Sequence, residues 1–288
     1  HCALALGESK DERVVPALVS IAMRDGMDRW TRAAVMSSIG AFPNTFLEQL
    51  LPEISKIAHQ YPAQLDPLLP LLEGLGQSLG VENRFDILRQ ITRSEKPSDA
   101  VWQIALLNGY AELLRSKAKS QDASFSPLML TVVLDSSSTP IRISKLMQEA
   151  ARISADETAS LERRLVCIGL LSHHEETTTV SVLQKLIVPQ QPREIQIAAV
   201  RALTRMADPE PAMALVKPEH WNSYIRPVKE VVLSALLAQT KLLDALFDAI
   251  EKGSIAPDSL NSQQRNQLMR HRNEAIRKRA VALFENLK

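Results

Sequence analysis

The chain has 288 residues, 45% of them hydrophobic and only 4% aromatic, so any large core must be built from Leu, Ala, Ile and Val. That aliphatic composition suits stacked helices better than sheets, which draw on aromatic and β-branched side chains. With 34 basic and 33 acidic side chains the net charge is +1, which gives no global electrostatic case for nucleic acid or an anionic membrane.

In chain order, Cys2-Ala3-Leu4-Ala5-Leu6-Gly7 reads as the end of a helix. Together with an opening His1 in place of Met, it suggests a fragment of a longer protein. Asp11-Glu12 then sets acid at the positive end of a helix holding Val14, Leu18 and Ile21. Next comes a helical cap followed by an apolar stripe, Asp28-Arg29-Trp30-Thr31-Arg32-Ala33-Ala34-Val35. The pattern recurs as Arg193-Glu194-Ile195-Gln196-Ile197-Ala198-Ala199-Val200 and as Asn273-Glu274-Ala275-Ile276-Arg277-Lys278-Arg279-Ala280-Val281. In each copy an apolar residue (Trp30, Ile195, Ile276) is followed four positions on by alanine and then by valine.

The same spacing is kept by Val101, Ala105, Leu106 and Gly109, by Leu161, Leu165, Val166 and Gly169, and by Val228, Val232, Leu233 and Leu236. Each set falls on one helical stripe. The anchors 161, 195 and 228 stand 34 and 33 residues apart, about one helix pair each. From Ile141 to Leu161 there is too little chain for a full pair, so the stack should be irregular near 116–160. Residues 116–124 are the best loop candidate.

Pro97-Ser98-Asp99, Thr139-Pro140, Gln191-Pro192 and Asp208-Pro209 mark breaks or first turns. Gly253 is a C-terminal stop. Thr177-Thr178-Thr179-Val180-Ser181-Val182 has β propensity, yet Leu183, Leu186 and Ile187 follow at helical spacing. The expected fold is all-α: a single α-solenoid of stacked helix pairs over 1–288, somewhat irregular in the middle. The stripe residues Trp30, Ala34, Val101, Ala105, Ile195, Ala199, Leu203, Ile276, Ala280 and Phe284 should be buried, with the alanines at the closest helix approaches.

Little here promises chemistry. Cys2 and Cys167 are the only cysteines, and neither has the clustered neighbours that a metal site or disulfide framework needs. Cys167 reads as a small buried hydrophobe. His173-His174-Glu175-Glu176 holds metal-capable types, but adjacent histidines diverge by about 100° on a helix, whereas a zinc pair needs i and i+4. A solvated helix end is the expected reading. His59, His220 and His271 have no evident local partners, and there is neither a nucleophile elbow nor a phosphate-cradling glycine loop. No apolar run approaches the ~18 residues of a membrane span, and no signal peptide is visible.

One stretch is locally charged. Arg265, Arg270, His271, Arg272, Arg277, Lys278 and Arg279 are accompanied only by Glu274. Arg265, Arg270, Arg272, Arg277, Lys278 and Arg279 are therefore the candidate residues for docking an acidic partner, against the alternative of a solvated helix face. The last helix places Ile276, Ala280, Leu283, Phe284 and Leu287 on one stripe, with Arg277, Lys278 and Arg279 directed away from it. Arg29, Arg32, Arg163 and Arg164 are expected to cap helices or pair between repeats.

Two stretches resemble something more specific. Residues 4–40, through Asp28-Arg29-Trp30-Thr31-Arg32-Ala33-Ala34-Val35-Met36-Ser37-Ser38, form one. Residues 215–284 form the other, with Lys217-Pro218-Glu219-His220-Trp221-Asn222, Leu243-Asp244-Ala245 through Ile250-Glu251-Lys252-Gly253, and Arg270-His271-Arg272. They resemble the HEAT-like repeat segment of large membrane-bound dehydrogenases of the planctomycete type, in which a β-propeller precedes the segment and a c-type haem domain with Cys-x-x-Cys-His follows. The resemblance covers about a third of the chain, and neither Cys2 nor Cys167 begins Cys-x-x-Cys-His. It implies an exported, periplasmic or membrane-associated parent whose haem and redox chemistry lie in other domains.

The resulting expectation is a non-catalytic scaffold and spacer of HEAT-like helix pairs. It should be monomeric as a fragment and carry no cofactor or metal of its own. Its partners would be neighbouring domains of the same chain or another protein, not nucleic acid. The alternative is a HEAT-like nucleic-acid enzyme similar to the alkylpurine DNA glycosylases. That would need a basic groove floored by aromatic and acidic residues, whereas Trp30, Trp102 and Trp221 are far apart in the sequence.

Overall fold

A computed structural model describes residues 2–9, 11–118, 128, 137–206 and 208–285. Among these residues every regular element is helical. The chain divides into two compact units, residues 1–174 and 175–288. Most of the candidate loop at 116–124 lies outside the described residues, as does Leu287; residues 116 and 117 close a helix.

Unit one contains α1 (Cys2–Glu8), α2 (Val15–Asp25), α3 (Arg29–Ser38), α4 (Pro43–Gln60), α5 (Leu69–Ser78), α6 (Arg84–Ile91), α7 (Ala100–Lys117), α8 (Thr139–Ala155) and α9 (Leu161–Leu171). Their starts follow local chemistry. The Asp28 carboxylate accepts the Thr31 N–H at 2.7 Å. Prolines open α2, α4, α5 and α8, where the missing donor has no intrahelical partner to lose. Pro97–Asp99 forms a single 3-10 turn leading into α7.

The helices of this unit meet in sequence: α1 packs on α3, α3 on α5, α5 on α7, and α7 on α9. Glycines set how close they come. A Cβ on Gly109 of α7 would stand 2.0 Å from the Glu73 carbonyl oxygen of α5, and one on Gly76 would stand 2.3 Å from that of Leu106. Similar intrusions would occur at Gly7 against Ser38 and at Gly169 against Asn108. Side-chain bonds cross the same seams. Ser38 Oγ donates to the Ala3 carbonyl at 2.7 Å, and Asn108 Nδ2 donates to Glu73 Oε1 at 2.6 Å. On the flanks, α2 packs against α3 and α4, and α8 against α7 and α9. Arg163 ties α9 to the turn after α4, reaching Asp66 Oδ1 and the Pro62 carbonyl at 2.6 and 2.5 Å.

Unit two contains α10 (Thr177–Lys185), α11 (Arg193–Arg205), α12 (Arg226–Leu237), α13 (Leu243–Glu251), α14 (Ser262–Met269) and α15 (Glu274–Phe284). The threonine-rich stretch at 177–182 opens α10 as helix. Here α10 packs on α11, α11 on α12, α12 on α13, α13 on α15, and α14 on α15. The core is aliphatic: Ile195, Ala199, Val200 and Leu203 of α11 face inward with Val228, Val232, Leu233 and Leu236 of α12, and Ile276, Ala280 and Phe284 of α15 are buried too. Gly253, at φ 76°, ends α13. The Ser254 N–H then returns to the Ala249 carbonyl at 2.8 Å, the six-to-one closure of a glycine-stopped helix.

Two placements correct the sequence reading. Trp30 is 75% exposed and Ala34 half-buried, because α3 turns Val35, Ser38 and Ile39 inward instead. A ten-residue helix with few apolar residues leaves its phase open, and the i, i+4 pair Val35 and Ile39 wins the core. In the helix after Asp11, Leu18 is buried as expected, but Val15, Val19 and Ala22 join it in place of Val14 and Ile21, since a 3-10 turn at Glu12–Val14 precedes α2. In unit one glycines also stand at close helix approaches, where the sequence reading expects alanines alone.

Candidate docking surface

The basic stretch spans α14, the following turn and α15. Asn261 and Gln264 form a reciprocal capping box at the start of α14, each backbone N–H meeting the other's side chain at 2.9 Å. Asn273 caps α15 by accepting the Ala275 N–H at 2.9 Å. Between them the turn is fixed by hydrogen bonds. The His271 N–H donates to the Leu268 carbonyl at 3.1 Å, the Asn273 N–H to His271 Nδ1 at 3.1 Å, and Arg277 Nη1 to the His271 carbonyl at 3.0 Å.

These cations do not behave alike. Arg279 folds back onto α13, where its guanidinium meets Asp244 at 3.2 Å, Glu251 at 2.7 Å and Asp248, and lies 5.2 Å from the Phe247 ring centre. It holds the Asp248 and Glu251 carboxyls below their ordinary range through these hydrogen bonds. The expectation that Arg279 points away from the packing face is therefore corrected: a half-buried guanidinium finds three acids on the neighbouring helix. Lys278 pairs with Glu274 one turn back at 2.8 Å. Arg265 stands near Ser262 Oγ at 3.5 Å, and Arg270 and Arg272 are exposed. Among the described residues no carboxylate lies within ion-pair distance of Arg265, Arg270, Arg272 or Arg277.

The chain matches no protein-family model and no curated protein.

The other candidate chemistry lies elsewhere. His173 and His174 are buried at the end of α9, which corrects the expected solvated helix end. His173 Nδ1 stands 3.0 Å from Arg115 Nη2, and its Nε2 lies 3.9 Å from Glu112 of the same α7. Arg115 also donates to the Ser172 carbonyl at 3.2 Å. These contacts span more than fifty residues, so no local pattern could have announced them. Arg164 is likewise buried, its Nε donating to the Ser154 carbonyl at 3.0 Å. Cys167 is fully buried, and that burial pushes its thiol well above the ordinary range, as expected of an inert core residue. Among the described residues no three His, Cys, Asp or Glu side chains cluster as metal ligands would. No described helix is long and apolar enough to cross a membrane.

Two open grooves lie among the described residues. One in unit two, about 600 Å³, runs between α12 and the segment before α14, over Trp221 with Lys229 5.3 Å from its ring centre. The other, about 560 Å³ in unit one, lies among α1, α2 and α3 and includes the exposed Trp30.

Proposed function

We propose that this chain is a non-catalytic helical-repeat module, an α-solenoid of HEAT-like pairs, that spaces and docks neighbouring protein domains. The observation that supports it best is the succession α1, α3, α5, α7, α9, in which each helix packs on the next through small or glycine residues. Stacking of this kind builds a core one unit at a time and leaves surface free for partners. On the sequence resemblance, the parent would be an exported dehydrogenase, with a propeller on one side and a c-type haem domain on the other.

The solenoid part is tested by cooperativity. In a stack each pair leans only on its neighbours, so Gly7→Val should release amide protection in α1 to α3 while α7 and α9 keep theirs. Equal loss of protection throughout unit one, read by hydrogen exchange, would mean a single globular core. The non-catalytic part is tested on the purified chain. It should show no Soret band and retain no stoichiometric zinc after dialysis, since its sequence lacks Cys-x-x-Cys-His and no ligand set clusters among the described residues. Either signal would overturn the reading.

A further inference from the structure

We propose that the turn joining α14 to α15 is a docking corner for an acidic polypeptide segment, gripped by Arg270 and Arg272 and flanked by Arg265 and Arg277. The inference rests on the interaction-module reading and assigns its partner chemistry. Of the six cations in this stretch, Arg279 is consumed by three acids of α13 and Lys278 by Glu274. Four arginines are left without a carboxylate among the described residues, on two contacting helices and the turn between them. Elsewhere Arg13 pairs with Asp11, Arg152 with Glu149 and Arg226 with Glu230, and the exposed Arg193 and Arg201, which have no such pair among the described residues, stand about two turns apart on a single helix. Unpaired arginines gathered in one place are a local positive field that the net charge of +1 conceals.

The corner is also preorganised. The His271 ring accepts the Asn273 N–H, Arg277 clasps the His271 carbonyl, and Asn273 caps α15. The backbone carrying Arg270 and Arg272 is thus held before any partner arrives, which lowers the ordering cost of binding. Arg265 lies about 7.5 Å back along α14, at 1.5 Å per residue. Guanidinium forks match carboxylates bidentately. A nucleic acid would present anionic groups too, but its bases need aromatic faces on which to stack. The aromatic residues of unit two, Trp221, Tyr224, Phe247 and Phe284, are all buried. An acidic protein segment fits; a base-stacked strand does not.

The test uses the 288-residue chain, a fluorescein-labelled octaglutamate peptide and fluorescence anisotropy at low salt. Arg270→Glu with Arg272→Glu should weaken binding about tenfold or more, and Arg270→Gln with Arg272→Gln by less. The equal charge change Arg193→Glu with Arg201→Glu, on exposed positions of α11, should change it less than about twofold. Circular dichroism and melting of each variant should match the parent, because all four positions are exposed. No peptide binding, or equal loss in both charge-reversed variants, would overturn the corner. Tighter binding of a single-stranded octathymidylate, lost in the corner variant, would overturn the choice of partner. None of these failures touches the module reading, which is tested on hydrogen exchange and cofactor content.

Discussion

Unit one brings its helices together at glycines, whereas unit two does so at alanines, branched aliphatics and one arginine. Of the nine glycines, all but Gly253 fall in residues 1–174, and several sit where neighbouring backbones nearly touch. Gly253 makes no such approach; it only lets α13 stop. Along the succession α1, α3, α5, α7 and α9 of the first unit, helix spacing is thus limited by the absence of side chains at glycines. In the second, spacing follows side-chain volume and a charge cluster, both of which can be tuned. The two should answer substitution differently in size and in dependence on pH.

The largest effect is expected at Gly109. An alanine Cβ there would lie 2.0 Å from a carbonyl oxygen of α5, a backbone atom that cannot swing aside. Gly109→Ala should destabilise by about 3 kcal/mol or more, measured as a lowered urea midpoint. Gly253→Ala, with open space around it but a positive φ, should cost only about 1–2 kcal/mol. A reversed order would break the contrast between the units.

Next in size is Ala199, fully buried on α11 where that helix meets α12. Ala199→Leu should overpack the contact and cost about 1–3 kcal/mol, since neighbouring aliphatic side chains can shift at some expense of rotamer energy. A melting temperature unchanged by this substitution would mean that the alanine stripe does not set the spacing in unit two.

These two positions also show what the sequence could carry. The spacing that links Val101, Ala105 and Gly109, and Val228, Val232 and Leu236, is local, and a helix turns that spacing directly into a face. For α12 all four expected residues are buried. Trp30 failed because in a short helix a large ring weighs heavily in any pattern, while the packing chose Val35 and Ile39. The burial of His173 beneath Arg115, and the capture of Arg279 by Asp244, Asp248 and Glu251, depend on helices brought together across many residues. Charge runs reveal that cations are present, but not which ones the fold has already used.

Arg279 gives the third prediction. Arg279→Met keeps the stem over Phe247 but removes the charge, and should cost about 1 kcal/mol at neutral pH and low salt. The sign with pH follows from the lowered carboxyls of Asp248 and Glu251. A depressed folded-state pKa contributes stability that is present above the ordinary carboxylate value of about 4 and is lost as pH falls through the depressed one. The gap between parent and variant should therefore hold down to about pH 5 and close under more acid conditions. A gap that persists undiminished in acid would show that packing, not charge, makes the Arg279 contact.

The smallest effect is expected at Glu73, where unit one carries a charge of its own between α5 and α7. Burial raises the Glu73 carboxyl above its ordinary range, partly offset by the Asn108 amide at 2.6 Å. A raised carboxyl means that the folded chain holds the proton more tightly than the unfolded one. Its charged form thus weakens the fold at neutral pH, and the penalty is relieved as pH falls through the raised value. Glu73→Gln keeps an oxygen to accept from Asn108 and removes the charge. It should leave the protein as stable or more so at pH 7, by at most about 1 kcal/mol, with the difference vanishing below about pH 4. Glu73→Ala instead strands the Asn108 amide, whose Nδ2 lies where a Gly169 Cβ would come within 2.5 Å, and should cost about 1 kcal/mol or more. Were Gln to destabilise as much as Ala in urea titrations at pH 7, the carboxylate would be a required part of the seam, and charge would govern spacing in both units.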